Sequence, residues 1–194
     1  MHFSEQANDI IFADFIHSTG TDADLSLIEA EIQKLREDTQ SPQRSERGGY
    51  HSMTYGVKGN APQSPSEVLE EVIDGIRWYA NKYIGSTYNF EPGIEVDNWW
   101  FMINSKGNYN VPHTHGNADI AAVFYVKTPE ECGDIVWQRT DGAQYARLPQ
   151  QKMVSITPMA GRLYLFPAHL LHWVEPSQSD TERICIACNL VVKG

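Results

Sequence analysis

Residues 110–126, NVPHTHGNADIAAVFYV, decide how the rest of the chain is read. The run from Ile120 to Val126 is apolar without a break, the mark of a buried strand. Ahead of it, Gly116-Asn117 signals a turn and Pro112 stiffens the entry. His113 and His115 stand between. On an extended segment, side chains two apart point the same way, with about 3.3 Å of rise per residue. The two imidazoles can therefore share a face, roughly 6–7 Å apart at the backbone, and reach one metal ion. Asp119, brought back by the turn, is a rival ligand. The bland alternative is a pair of satisfied surface histidines.

Downstream and just upstream, the chain keeps the same texture. IEVDNWWFMIN (94–104), GDIVWQ (133–138), KMVSIT (152–157), GRLYLFP (161–167) and RICIACNLVV (183–192) are short β-branched or aromatic runs set apart by Gly, Pro, Asn and Asp. No helices alternate with them, which favours an antiparallel sandwich or barrel over a parallel sheet. Before residue 93 the period changes. Leu25, Ile28, Ile32 and Leu35 predict a helix over 23–39, capped by Asp22 or Asp24. Val68, Val72, Ile76 and Tyr79 predict a second over 64–85, started at Ser64 or Ser66 and ended by Gly85. Residues 40–50 read as a loop. The reading is one mainly β (α+β) domain over 1–194, with a helical part (1–92) packed on a β-sandwich core (93–194).

The 194 residues and 41% hydrophobic content suit one sizeable core. A formal net charge of −10 repels phosphate backbones and argues against nucleic acid as a partner. No stretch approaches the roughly 20 apolar residues of a membrane helix. No basic region followed by an apolar run opens the chain, so no signal peptide is expected and a cytoplasmic location is the default. Cys132, Cys185 and Cys188 are too few for a disulfide framework. The C-x-x-C of 185–188 lies in an alternating strand, where residues three apart face opposite sides, so the two thiols are expected to diverge.

GRLYLFPAHLLHWVEP (161–176) supplies a third histidine, His172, just past a strand that ends at Phe166-Pro167. Arg183 follows eleven residues later at the head of the last strand. Together with SERGGYHS (45–52) and NYNVPHTHGNADIAAVFYVKTPEECGDIVW (108–137), these segments resemble the Fe(II)/2-oxoglutarate dioxygenases. More narrowly, they resemble a phage and bacterial, prolyl-hydroxylase-like branch. The resemblance covers most of the chain from residue 45. It implies a double-stranded β-helix (jelly-roll or cupin-like), with Fe(II) and 2-oxoglutarate as cofactors. It places His113 and His172 as first and last metal ligands, Arg183 against the far carboxylate of 2-oxoglutarate and Tyr125 beside it. An arginine fork suits that carboxylate.

The departure is at the middle ligand. The common facial triad has two His and a carboxylate, and this chain has His115 there. The set His113, His115 and His172 is preferred, with Asp119 as the alternative third ligand. Asn104, near the end of the strand before the metal loop, and Asn189, at even spacing from Arg183, are candidates to line the cofactor pocket. Trp99, Trp100 and Trp137 are read as core, His169 as a loop residue, and His51 as either pocket or surface. The structural alternative for Arg183 is a surface ion pair with Glu182 or Asp180. The substrate, a small molecule or peptide, would be read by loops 40–65 and 139–152. Two rival functions stand: a cupin-like metal enzyme that does not use 2-oxoglutarate, and a non-catalytic metal-binding module.

Overall fold

Fourteen elements fill the described residues of the computed structural model, which are 14–37, 44–56, 62–88, 93–139 and 152–193. In chain order they are β1 (His17–Gly20), α1 (Leu25–Glu37), β2 (Glu46–Arg47), β3 (Tyr50–His51), β4 (Tyr55–Gly56) and α2 (Glu67–Tyr88). Then come β5 (Gly93–Asn104), β6 (Tyr109–His113), β7 (Ile120–Lys127), β8 (Ile135–Gln138), β9 (Met153–Ile156), β10 (Arg162–Pro167), β11 (Leu171–Val174) and β12 (Arg183–Lys193). The larger sheet runs β1-β10-β7-β12-β5-β3, with β4 also on β5, and the smaller runs β2-β6-β11-β8-β9.

From β5 onward the chain winds between the sheets. β5, β7, β10 and β12 lie in the larger, and β6, β8, β9 and β11 in the smaller. This is the double-stranded β-helix the resemblance implies. Four short strands before residue 57 extend it: β1 beyond β10, β2 beside β6, and β3 and β4 along β5. Sequence reading found none of these four. A two-residue strand carries no alternation of its own, and its partner lies far along the chain.

Alternation on β12 divides the interior. Ile184, Ile186, Cys188 and Leu190 face the helices and join Trp99, Phe101, Ile103 and Phe124. Cys185 and Ala187 face the space between the sheets, with Trp100, Met102, Tyr125, Trp137, Tyr164 and Phe166. Cys185 and Cys188 thus diverge as expected, and all three cysteines are free thiols. Trp99 belongs to the helix side, where it stacks on Tyr55 at 4.5 Å, and not to the barrel interior.

The helices cover the larger sheet. Asp24 Oδ1 accepts from the amides of Ser26 and Leu27, both at 3.1 Å, and so caps α1. Ile28 and Ile32 are buried as the period requires. In α2 the buried stripe is Leu69, Ile73, Ile76, Ala80 and Ile84, with Val68, Val72 and Tyr79 on its flank. The predicted stripe is off by about one position because bulky Val72 and Tyr79 mask small Ala80. Burying each large aliphatic side chain contributes about 1.5–3 kcal/mol. Helix α2 also continues past Gly85 to Tyr88, since hydrogen bonding within the helix outweighs one glycine's cost of about 1 kcal/mol. No described helix is long and apolar enough to cross a membrane.

Candidate metal centre and anion pocket

Three histidines meet at one end of the sandwich. His113 and His172 lie directly opposite each other on β6 and β11. The next pair is Asn110 with Val174, so three steps on β6 oppose two on β11. This bulge turns both Asn110 and His113 toward the interior. His115 does not share the strand with His113, contrary to the extended reading of the H-x-H. β6 ends at His113, and the His115 amide donates to Ala168 O at 2.9 Å. The turn through Gly116-Asn117 closes with Ala118 N donating to His115 O at 3.2 Å. The ring returns to the cluster all the same, with centroids 5.3 Å from His113 and 5.0 Å from His172. His113 and His172 are 4.3 Å apart.

One nitrogen from each ring converges, all within 4.8 Å of one another. The other nitrogens are spoken for. Nδ1 of His113 meets Val111 O at 2.8 Å, and Nδ1 of His172 meets Leu170 O at 2.8 Å. Nδ1 of His115 meets Asn189 Oδ1 at 2.5 Å, and Asn189 Nδ2 in turn donates to Asn98 Oδ1 at 2.9 Å. A carbonyl oxygen only accepts, so each Nδ1 carries the proton and each neutral ring offers a bare Nε2. The Nε2 atoms of His115 and His172 then face each other lone pair to lone pair at 3.2 Å. A cation between them resolves that repulsion. The donor set fits Fe(II), and the Nδ1 partners fix each ring's tautomer and orientation.

Burial, then the neighbouring His113, push the pKa of His172 down to about 3, against a smaller upward pull from Leu170 O. Burial is also the main cause that lowers His113 and His115. These rings are neutral in the fold but protonate near 6.5 once unfolded. The unfolded chain therefore binds more protons below that value. Stability of the metal-free protein should be full above about pH 6.5 and fall as the pH drops toward about 3. Thermal melts of metal-free wild type and His172→Asn across that range check this: the variant should show a shallower loss of Tm, and parallel curves would contradict it.

Asp119 is placed elsewhere. Its Oδ2 accepts from Val192 N at 2.7 Å, pinning the turn to β12, and it lies outside the converging set. His169 is exposed, 3.5 Å from Asp14. His51 is buried, donates from Nδ1 to Ser52 O at 2.6 Å and stacks on Trp100 at 5.5 Å. Trp100 stacks in turn on His115 at 5.8 Å.

The second feature lies on the same interior face of β12. Arg183, opposite Asn104 of β5, is 1% exposed. Its Nη1 donates to Cys132 O at 3.1 Å and Gly133 O at 3.3 Å. With the Asn104 amide oriented to suit its neighbours, Oδ1 accepts from Arg183 Nη2 at 2.6 Å and Nδ2 donates to Ile103 O at 3.2 Å. Two glycines make room. Gly133 has φ +85°, and a Cβ there would strike the Glu175 carbonyl. A Cβ on Gly49 would strike the Asn104 amide. Among the described residues no carboxylate pairs with Arg183. Glu182 is taken by Arg36 at 2.7 Å and Asp180 by Lys106 at 2.9 Å, so the surface ion pair is not formed.

Tyr125 lies on β7 opposite Cys185 of β12. Burial raises its pKa, with Arg183 opposing, so it stays a neutral phenol. A buried guanidinium without a counter-charge is costly. A carboxylate offsets that cost, so the chemistry of Arg183 and Tyr125 suits the far end of 2-oxoglutarate. Asn104 and Asn189 have taken up supporting positions, the first on Arg183 and the second on His115. Sequence reading gave no role to Asn110, buried on β6, or to Glu46, buried opposite it on β2. The quoted segment SERGGYHS was the only signal for the latter. Of the loops assigned to the substrate, residues 40–43, 57–61 and 140–151 lie outside the described residues.

Comparison with known proteins bears on this geometry. A family model described as "Putative 2OG-Fe(II) oxygenase" matches residues 98–189, which hold all three histidines and Arg183. The family it matches is the 2OG-Fe(II) oxygenases. A prolyl-4-hydroxylase from Pseudomonas putida is similar at 17% identity and TM-score 0.65, over 92% of this chain and 93% of that one. A viral collagen prolyl hydroxylase from Paramecium Bursaria Chlorella virus-1, in a 2OG complex, is similar at 16% and 0.62, over 90% and 94%. A prolyl hydroxylase from Trichoplax adhaerens, in complex with a peptide fragment, is similar at 16% and 0.61, over 91% and 82%. At these identities the likeness is one of fold. No curated protein sequence matches the chain. These three neighbours are hydroxylases by name, and the His113/His115/His172 triad fits the iron of a 2OG-Fe(II) oxygenase.

Proposed function

We propose that this protein is an Fe(II)- and 2-oxoglutarate-dependent dioxygenase that hydroxylates a small molecule or peptide. His113, His115 and His172 hold the iron through Nε2, and Arg183 with the Tyr125 hydroxyl holds the C5 carboxylate of 2-oxoglutarate. When bound, iron and 2-oxoglutarate with O₂ supply the oxidising chemistry, releasing succinate and CO₂. The chain's own residues do the placing. Val111 O, Leu170 O and Asn189 keep each imidazole in its metal-binding tautomer. Asn104 and the Cys132 and Gly133 carbonyls aim the guanidinium. The apolar walls of Trp137, Tyr164 and Phe166 keep the interior dry. Three free buried thiols suit a reducing, cytoplasmic setting.

The observation that carries this reading is the buried Arg183, without a carboxylate partner among the described residues, on the interior face that also bears Asn189 and, through it, His115. A three-histidine enzyme that does not use 2-oxoglutarate has no need of that charge. Incubation with Fe(II), O₂ and 2-oxoglutarate tests the reading. Succinate should form with wild type and fall to background with Arg183→Ala. No succinate from wild type would leave the two rival readings.

A further inference from the structure

Glu46 is the one acidic residue sealed inside the protein among the described residues, at 0% exposure. Its Oε1 accepts from the Arg44 amide at 2.7 Å, and its Oε2 has no partner. No described cation pairs with it: the Arg47 guanidinium turns to the carbonyls of Arg44 and Glu46. β2 places Glu46 opposite Asn110, which the β6 bulge turns inward together with His113. Val111 N also donates to Ser45 O at 2.9 Å, so the two segments are clamped together. The negative charge of Glu46 acts on both His113 and His51, and at His51 the positive charge of Arg44 opposes it.

A sealed carboxylate with a bare oxygen is destabilising unless a positive charge is near. The metal site has the complementary deficit, because three neutral imidazoles leave a divalent ion's charge uncompensated. We propose that Glu46 is the anionic counterpart of the three-imidazole site: a positioning residue that acts by its buried charge, without coordinating, and raises affinity for a divalent cation. The absent ligand carboxylate is thereby replaced by one held on β2, beside the strand that carries His113. This inference rests on the metal reading of the histidines.

Calorimetric titration of Mn(II) into the full-length metal-free protein tests it. Glu46→Gln keeps the shape and an acceptor for Arg44 N but removes the charge. It should weaken Mn(II) binding roughly 10- to 100-fold, the range for residues that support metal ligands. Its metal-free Tm should be equal to wild type or higher, because the uncompensated carboxylate is gone. A merely structural role predicts a lower Tm. Glu46→Asp keeps the charge and should bind Mn(II) within a few-fold of wild type, even if the Gln variant folds poorly. Equal Mn(II) affinity in wild type and Glu46→Gln, or equal losses in the Gln and Asp variants, overturns the proposal and leaves the metal site standing. Failure of wild type to bind Mn(II) removes the metal reading and this inference with it.

Discussion

Arg183→Ala should weaken 2-oxoglutarate binding by roughly 10- to 150-fold while leaving metal binding nearly intact. A charge-assisted contact to a carboxylate is worth about 1.5–3 kcal/mol, and about 1.4 kcal/mol is a tenfold change in affinity. The loss should sit at the upper end, because the guanidinium is 1% exposed and water cannot take its place. Arg183→Lys should recover only part. An ammonium cannot at once reach the Cys132 and Gly133 carbonyls, the Asn104 oxygen and a carboxylate in the fork geometry. Calorimetry with the Mn(II)-loaded protein measures both. Equal affinity in wild type and Arg183→Ala would remove the cosubstrate assignment.

The second large effect concerns the imidazoles. His113→Ala and His172→Ala should each abolish stoichiometric Fe(II) binding, since each leaves two neutral ligands. His115→Ala should cost nearly as much, although His115 lies beyond the end of β6. Its Nε2 is 3.2 Å from that of His172, and Asn189 holds its other nitrogen. Asp119→Ala should leave metal affinity almost unchanged. Its carboxylate serves Val192 N, an exposed hydrogen bond worth about 0.5–1.5 kcal/mol of stability. Anaerobic Fe(II) titration of the four variants gives the order. A larger loss in Asp119→Ala than in His115→Ala would restore a two-histidine, one-carboxylate triad.

β5, β7, β8, β9, β10 and β12 were legible because each is long enough, or flanked by strong enough turn residues, to show its own pattern; β6 and β11, which carry His113 and His172, are short and were not read as strands. Helix α1 was legible for the same reason. The α2 stripe was misplaced because hydropathy favours Val72 and Tyr79 over the small Ala80 that packs against the sheet. The short strands β1 to β4 were illegible because their pairing is set by partners about 40 to 150 positions away. At the site, the H-x-H was right about convergence and wrong about its route. An extended H-x-H places both rings on one strand face, whereas this chain needs the β6 bulge and the 116–117 turn. Neither feature has a local spacing rule. The interior place of Arg183 came from the resemblance alone, since spacing left Glu182 and Asp180 open as surface partners, and Arg36 and Lys106 hold those. Glu46 could be recognised only once β2 was paired with β6.

The central claim is that one site takes a metal and 2-oxoglutarate together, with the imidazoles at one end and Arg183 at the other. Calorimetric titration of 2-oxoglutarate into the protein with and without Mn(II), under anaerobic conditions, tests it most directly. The account predicts binding of about one equivalent to the metal-loaded protein and a loss of at least about tenfold in affinity without the metal, the size of a lost charged contact. No binding to the metal-loaded protein, or equal affinity with and without Mn(II), would contradict it.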